Sequence, residues 1–166
     1  MKLIAQNSIF IAILFISGYM LDSYVITINR IQGPSMLPAF IDQSFAVSLN
    51  ESMLKLFGQN YKAGDVYILN AQGSKLIKRL VALPGEQIRI QNGVIFVNDK
   101  NMTSYLQLMQ PKESDTLSCK YFSKYEVPSN KYFFVGDNLC AALDSRQMGA
   151  VSEENILGKV IFNFSL

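Results

Sequence analysis

The chain has 166 residues, a formal net charge of +2, two cysteines, and neither histidine nor tryptophan. The length suits one domain with its own core, and the small net charge without a basic run excludes a typical nucleic-acid surface. The lack of histidine excludes Ser-His-Asp and Cys-His mechanisms, and two cysteines are too few for a zinc site, so we predict no metal.

The N-terminal residues form an apolar segment long enough to cross a bilayer. Residues 3–21 span 19 positions, and about 20 apolar residues cross the hydrocarbon core. We therefore predict a membrane anchor over residues 1–22 and an extracytoplasmic domain over residues 23–166. Lys2 precedes the segment and places the N-terminus in the cytoplasm. A cleaved signal peptide is the alternative, although the segment ends without an A-x-A cleavage site.

The rest of the chain alternates short apolar runs with turns. The strand-like stretches, in chain order, are SYVITINR, QSFAVSL, DVYILNA, GSKLIKRLVAL, KYFFVGDN and ILGKVIFNFSL. Before KYFFVGDN, the stretch EQIRIQNGVIFVNDK places Asn92-Gly93 between two alternating runs, which is typical of a β-hairpin. We expect ESMLKLFGQNYKAG to be a loop or short helix, and residues 99–130 to be irregular with one helical patch at MTSYLQLM. The pattern predicts a mainly β fold, either a barrel or a folded sheet.

One serine and one lysine are candidates for catalysis. Ser35 lies in GPSMLPAF, where glycine and two prolines force a turn, and such serines ordinarily only stabilise turns. Because histidine is absent, a hydroxyl nucleophile needs lysine or a carboxylate as its base. On the strand GSKLIKRLVAL, Lys78 shares a face with Leu76 and Leu80. Burial on that face would lower the lysine pKa, whereas an ammonium that reaches water is the structural alternative.

The two cysteines, Cys119 and Cys140, leave two interpretations open. A pair in a chain with a membrane-targeting segment is compatible with a disulfide in an oxidising compartment. Two buried free thiols are the alternative, because cysteine is often buried without a bridge.

Taken together, these residues resemble the type I signal peptidases, which are membrane-anchored serine proteases with a Ser-Lys dyad. The matching blocks follow the family's order and cover the chain except residues 99–130. They are the anchor, GPSMLPAF, AGDVYIL, KRLVALPGEQI with GVIFVNDK, and FFVGDNLCAALDSRQMGAVSEENILGKV. The resemblance implies a mainly β, signal-peptidase-type folded sheet or barrel behind one N-terminal transmembrane helix, with no cofactor.

The resemblance also implies roles for individual residues. Ser35 is expected to be the nucleophile, with its backbone N–H in the oxyanion hole, and Lys78 the general base. Asp144 and Arg146 are expected to hold the site as an ion pair. The other residues expected to support the site are Gly33, Met36, Arg79, Gly136, Asp137, Asn138 and Ser145.

Several positions depart from the family pattern. Gly33 stands where some members carry a hydroxyl that donates to the oxyanion. Ala142 stands where a serine usually hydrogen-bonds the lysine, so Lys78 is expected to lack one orienting partner. Cys140 and Leu139 are atypical for this block.

The family resemblance implies a substrate class. Members bind an extended segment by strand addition and select small residues just before the cut. Preproteins or pilin precursors are therefore the expected partners, together with the lipid bilayer and without nucleic acid. Met36, Leu37 and Phe40 are expected either on an apolar membrane-facing surface or in the core.

The expected location is a bacterial inner (plasma) membrane, with one span and the catalytic domain on the periplasmic, extracytoplasmic side. The main alternative is a specialised peptidase of a conjugation or secretion system that matures a pilin-like subunit. A mitochondrial inner-membrane peptidase shares Gly-Pro-Ser-Met. A catalytically inactive relative that binds exported proteins is the alternative from another class, and Ala142 is the feature that supports it.

Overall fold

The described residues form a mainly β fold, as the sequence predicts. A computed structural model describes residues 25–71, 73–106, 108, 111–112 and 115–165. Its strands are β1 (Ile26–Arg30), β2 (Phe45–Asn50), β3 (Val66–Ala71), β4 (Ser74–Ala82), β5 (Gln87–Gln91), β6 (Val94–Val97), β7 (Lys100–Asn101), β8 (Phe122–Glu126), β9 (Lys131–Val135), β10 (Val151–Ser152) and β11 (Ile156–Phe164). The predicted anchor over residues 1–22 lies outside the described residues.

The strands form two antiparallel sheets. The larger sheet has seven strands in the order β1-β2-β11-β3-β4-β9-β10, and the smaller has four in the order β7-β6-β5-β8. Chain neighbours β3 and β4 pair along their whole overlap, from Val66 opposite Arg79 to Ala71 opposite Ser74. The long central strands of the larger sheet therefore fix the position of Lys78, which lies opposite Tyr67.

The helices among the described residues are short and lie at the connections. They are α1 (Glu51–Leu56), α2 (Thr103–Leu106), α3 (Leu117–Lys120), α4 (Ser145–Met148) and a 3₁₀ turn at Glu153–Asn155. The first falls in the stretch predicted to be a loop or short helix. In the part of the chain that the structure describes, no helix has the length and apolar character needed to cross a membrane.

The predicted hairpin is confirmed, whereas the prediction for residues 99–130 is partly wrong. In the hairpin, Ile90 pairs with Ile95 on either side of Asn92-Gly93, and both turn residues have positive φ, as a tight hairpin turn requires. Within residues 99–130, however, β7 and β8 join the smaller sheet. Strand β8 has mostly exposed, polar residues because it forms an edge, so its sequence lacks the apolar alternation of a half-buried strand.

Within the described ranges of the chain, three apolar clusters make up the core, and the third supports the Ser35 loop. One cluster belongs largely to the smaller sheet, and a second packs around Tyr67, Leu80 and Phe134. The third contains Met36 and Phe40, both buried, together with neighbours from β2 and β3. These two residues therefore belong to the core, and the membrane-facing alternative for them is wrong.

Candidate active site

Ser35 lies in a closed loop that follows β1. The two ends of the loop are joined by backbone hydrogen bonds between Ile31 and Ser44, at 2.8 Å, and between Gln43 and Ile31, at 3.0 Å. Buried Met36 anchors the loop from below. The loop is therefore fixed at both ends and at its centre, which gives the half-buried Ser35 a defined position.

Gly33 explains one departure from the family pattern. Its φ is +88°, a conformation that residues with a side chain rarely adopt. Its N–H donates to Oδ1 of Asp42 at 2.7 Å, which holds the turn before Ser35. A hydroxyl-bearing residue would be strained in this turn, so the geometry of the loop itself favours glycine.

The amine of Lys78 reaches the hydroxyl of Ser35. Nζ lies 3.0 Å from Oγ, and only 2% of the lysine is exposed. The position on β4 that the sequence predicts, on a face with Leu76 and Leu80, therefore holds the amine inside the protein. Burial lowers the pKa of Lys78 from 10.5 to about 8, against the opposing attraction of the Asp144 and Asp137 carboxylates.

A backbone carbonyl supplies the second partner of Lys78. Nζ donates to the carbonyl oxygen of Ile77 at 2.8 Å. Ala142, which stands where the family carries a serine, is buried and has no hydroxyl to offer. The expected loss of an orienting partner is thus offset by the strand's own backbone, a contact that no side-chain pattern in the sequence reveals.

The segment after β9 packs directly against the nucleophile loop. The N–H of Asn138 donates to the carbonyl of Ser35 at 3.0 Å. A Cβ added to Gly136 would lie 2.6 Å from that same carbonyl oxygen and 2.4 Å from Cβ of Ala142. Only glycine lets the two backbones approach so closely. Gly136 and Asn138 therefore fix the Ser35 backbone, as the family resemblance implied.

Arg79 and Asp137 form a buried bidentate pair beside Lys78. Nε donates to Oδ1 at 2.6 Å and Nη2 to Oδ2 at 2.5 Å, while Nη1 donates to the carbonyl of Gly64 at 2.6 Å. Burial raises the pKa of Asp137, and the arginine opposes that shift. The pair ties β4 to the turn after β9, since the two residues lie on these elements. The sequence identifies both residues as supporting the site but does not indicate that they pair.

Asp144 and Arg146 form the expected ion pair. Hydrogen bonds to Asp144 and the adjacent Ser145 attach this segment to β9 and the turn that follows it. Oδ1 of Asp144 accepts from Nε of Arg146 at 2.8 Å, and Oδ2 accepts from the N–H of Gly136 at 3.0 Å. Buried Ser145 accepts from the N–H of Phe134 at 3.0 Å. The start of α4 is thereby fixed to the strand that leads into the Gly136 turn.

A disulfide joins Cys119 to Cys140, with their Cα atoms 4.8 Å apart. Cys119 is buried in α3 against the smaller sheet, and Cys140 is exposed in the segment that follows Asn138. The bridge therefore tethers the segment behind Ser35 to the smaller sheet. Of the two interpretations left open by the sequence, the structure has the bridged one.

A small cleft opens onto the dyad. Its volume is about 120 Å³, and residues 29–32 form one wall while residues 75–78 form the other, with Ser35 at the end. Strand β9 pairs with β4 only from Arg79 to Ala82. Within the described residues, the edge of β4 along the cleft has no strand beside it. The cleft can thus take a short extended segment with small side chains.

The site combines residues that the sequence identified with others that it did not. Ser35, Lys78 and every supporting residue named above lie within this one region or pack against it. The contributions of Asp42 and of the Ile77 carbonyl have no sequence motif, because both depend on the geometry of the loop and the strand.

Comparison with known proteins assigns the family. A family model described as "Signal peptidase, peptidase S26" matches residues 3–165. Signal peptidase I U of Bacillus subtilis (strain 168) is 37% identical in an alignment of 134 positions that covers 77% of this chain and 70% of that protein. Signal peptidase IB of Staphylococcus aureus (strain COL) is 29% identical in an alignment of 175 positions, gaps included, that covers 98% of this chain and 90% of that one.

A solved structure of a signal peptidase I from Enterococcus faecalis V583 aligns with a TM-score of 0.49 and 21% identity, covering 62% of this chain and 98% of that one. The match to the family model spans almost the whole chain, and the Bacillus relative exceeds 30% identity over most of it. The chain therefore belongs to the signal peptidase family S26 and is a serine protease.

Proposed function

We propose that this protein cleaves N-terminal signal peptides from exported proteins, with Ser35 as nucleophile and Lys78 as general base. The contact that carries the proposal is the 3.0 Å approach of Lys78 Nζ to Ser35 Oγ in a buried setting. A lysine with a pKa of about 8 is neutral in about a tenth to a fifth of molecules near physiological pH, far more than an ordinary lysine, so its amine can accept the hydroxyl proton.

The acylation step uses atoms whose positions are fixed by the loop. Ser35 Oγ attacks the scissile carbonyl carbon while Lys78 Nζ takes the hydroxyl proton. The backbone N–H of Ser35, which has no hydrogen-bond partner among the described residues, donates to the oxyanion. Lys78 then returns its proton to the leaving amine as the peptide C–N bond breaks, and an acyl-enzyme ester remains.

Hydrolysis of the ester repeats the cycle with water. Lys78, neutral again, removes a proton from a water molecule that attacks the ester carbonyl. The tetrahedral intermediate collapses, the signal-peptide carboxylate leaves, and the proton on Lys78 returns to Ser35 Oγ. No other base is needed, because the amine alternates between two protonation states throughout.

The substrate would bind as an extended strand against the edge of β4. That edge lies along the cleft and reaches the dyad at Lys78. Strand addition satisfies the exposed backbone groups of both chains, and the limited cleft volume favours small side chains just before the cut. A preprotein or a pilin precursor meets these requirements.

Exposed apolar side chains near the site support a membrane location. Ile28 and Phe162 are 61% and 62% exposed, and both lie opposite Val47 in adjacent strands of the larger sheet. An apolar patch of this kind fits a bilayer surface. We propose a single-pass protein of the bacterial plasma membrane with its catalytic domain outside the cytoplasm, where the Cys119–Cys140 bridge would be stable.

A cleavage assay tests the proposed function. Full-length protein in detergent is incubated with a preprotein and, separately, with a pilin precursor, beside the variants Ser35→Ala, Lys78→Ala and Lys78→Arg. We expect activity to fall by about 10³-fold or more in all three variants. Ser35→Ala removes the nucleophile and Lys78→Ala removes the base. Lys78→Arg keeps the positive charge, but arginine cannot act as a base. Retention of activity in Lys78→Arg would exclude a lysine base. Cleavage of the pilin precursor alone would assign the protein to the specialised alternative.

A further inference from the structure

The cleft beside the dyad carries positive charge on both walls. Arg30 ends β1 on one wall and Lys75 lies in β4 on the other, and both are exposed. The third ionisable residue of the lining, Lys78, is buried at the dyad. In the described part of the chain, no carboxylate lines the cleft.

No described side chain neutralises these two cations. Neither Arg30 nor Lys75 forms an ion pair among the described residues. The two buried carboxylates near Lys78 are already paired with arginines, Asp137 with Arg79 and Asp144 with Arg146. The positive potential of the rim is therefore available to a bound peptide.

We propose, on the basis of the signal-peptide cleavage proposed above, that Arg30 and Lys75 select substrates with an acidic side chain roughly four residues before the cut. Such a preference goes beyond the selection of small residues next to the scissile bond. The enzyme would then cleave signal peptides with an acidic residue at that position faster than those with a basic or neutral residue there.

The distance along β4 sets the position of the acidic residue. Lys75 precedes Lys78 by three residues, which is about 10 Å along a strand. A peptide strand beside this edge has the same rise per residue. If the peptide runs parallel to β4 and its last residue before the cut lies at the dyad, the residue three positions upstream lies beside Lys75. Arg30 lines the same cleft from the end of β1.

The expected effect is several-fold and depends on salt. Both cations are exposed, so a single ion pair with substrate changes kcat/KM only modestly, by about 1.5- to 5-fold. The preference should decline at about 0.5 M salt, where the Debye length falls below the distance between exposed charges.

Kinetics with matched peptides test the proposal. Three peptides differ only four residues before the cut, where they carry Glu, Gln or Lys. With full-length protein in neutral detergent, we expect kcat/KM for the Glu peptide to exceed that for the Lys peptide by about 5-fold or more. Lys75→Glu and Arg30→Glu should reduce or reverse the preference. Lys100→Glu, on the outer strand of the smaller sheet, should leave it unchanged.

A binding measurement distinguishes failure of the charge-selection proposal from failure of the proposed signal-peptide cleavage. Fluorescence anisotropy measures the affinity of the same labelled peptides for the Ser35→Ala variant, which requires no cleavage. Tighter binding of the Glu peptide, lost in Ser35→Ala/Lys75→Glu, supports the charge selection even if hydrolysis is absent. Equal affinities and equal kcat/KM values, or no binding of any peptide, would overturn it. If Lys75→Glu and Arg30→Glu have an effect only when vesicles of anionic lipid are present, the two cations bind lipid headgroups and the proposal is also overturned.

Discussion

Lys78 Nζ lies 3.0 Å from Ser35 Oγ although 43 residues separate the two in the chain. The contact depends on two rigid elements, the closed loop that holds Ser35 and the β4 strand that carries Lys78 in register with Tyr67. The same strand buries the amine, and burial lowers its pKa to about 8. The same packing therefore sets both the distance from Lys78 Nζ to Ser35 Oγ and the pKa of Lys78.

The lowered pKa predicts how activity depends on pH. Below about pH 8, Lys78 is increasingly protonated and cannot accept the Ser35 proton, so kcat/KM should fall about tenfold per pH unit. Above that value the amine is neutral and the profile should level off. Initial rates with one peptide between about pH 6 and pH 9.5 measure this. A profile that stays flat over this range, in protein that remains folded throughout, would contradict a lysine base.

Burial of Lys78 should cost stability. Its pKa is 10.5 in the unfolded chain and about 8 in the folded one, so the folded state disfavours the ammonium. The penalty is fully present below pH 8 and disappears as the pH rises towards 10.5. At pH 7, Lys78→Met should therefore raise the free energy of unfolding by on the order of 3 kcal/mol.

Denaturant unfolding at several pH values tests this prediction. The difference between wild type and Lys78→Met should shrink above pH 8, because the wild type gains stability as the amine loses its proton. Lys100→Met, at an exposed position, is the control and should change stability by less than about 0.5 kcal/mol. A destabilised Lys78→Met would mean that the amine's hydrogen bonds outweigh its desolvation.

The sequence predicts the dyad and part of its support. The lack of histidine leaves Lys78 as a natural base for Ser35, and strand alternation places it on an apolar face. Likewise, Asn92-Gly93 predicts its hairpin because only a few turns permit positive φ at both residues. In contrast, the Ile77 carbonyl and the Arg79–Asp137 pair arise from tertiary packing, and residue types alone do not indicate which groups will meet.

Gly136→Ala, which adds a single carbon atom, should lower kcat. Its backbone conformation suits any residue, so the effect of Gly136→Ala comes from contact alone: the new Cβ would lie 2.6 Å from the Ser35 carbonyl oxygen. The nucleophile loop must move, and a displacement of about 1 Å from the productive geometry costs about 10²-fold in kcat. Steady-state kinetics should show this loss.

A second variant identifies which contact matters. The added Cβ also lies 2.4 Å from Cβ of Ala142, and Ala142→Gly removes that clash only. Gly136→Ala/Ala142→Gly should therefore remain impaired because the Ser35 carbonyl is still displaced. Full recovery of kcat in the double variant would place the whole effect at Ala142, and circular dichroism would establish that both variants are folded.

The Cys119–Cys140 bridge should stabilise the segment that holds Ser35. It closes a loop with a sequence separation of 21, for which chain entropy predicts a contribution of about 3 kcal/mol. Cys119→Ser/Cys140→Ser should lose about that much free energy of unfolding. The N–H of Asn138, which donates to the Ser35 carbonyl, should also exchange faster with deuterium, since its segment would lose its tether to α3.

Reductant provides the matched control for the bridge. In wild type, it should reproduce both the loss of stability and the faster exchange at Asn138, and it should change neither in Cys119→Ser/Cys140→Ser. Because the bridge lies behind the nucleophile loop and contributes no reacting atom, reduction should lower activity mainly near the unfolding transition. Two freely alkylated thiols in natively isolated protein, with unchanged stability in the double variant, would show that the site is held by its hydrogen bonds alone.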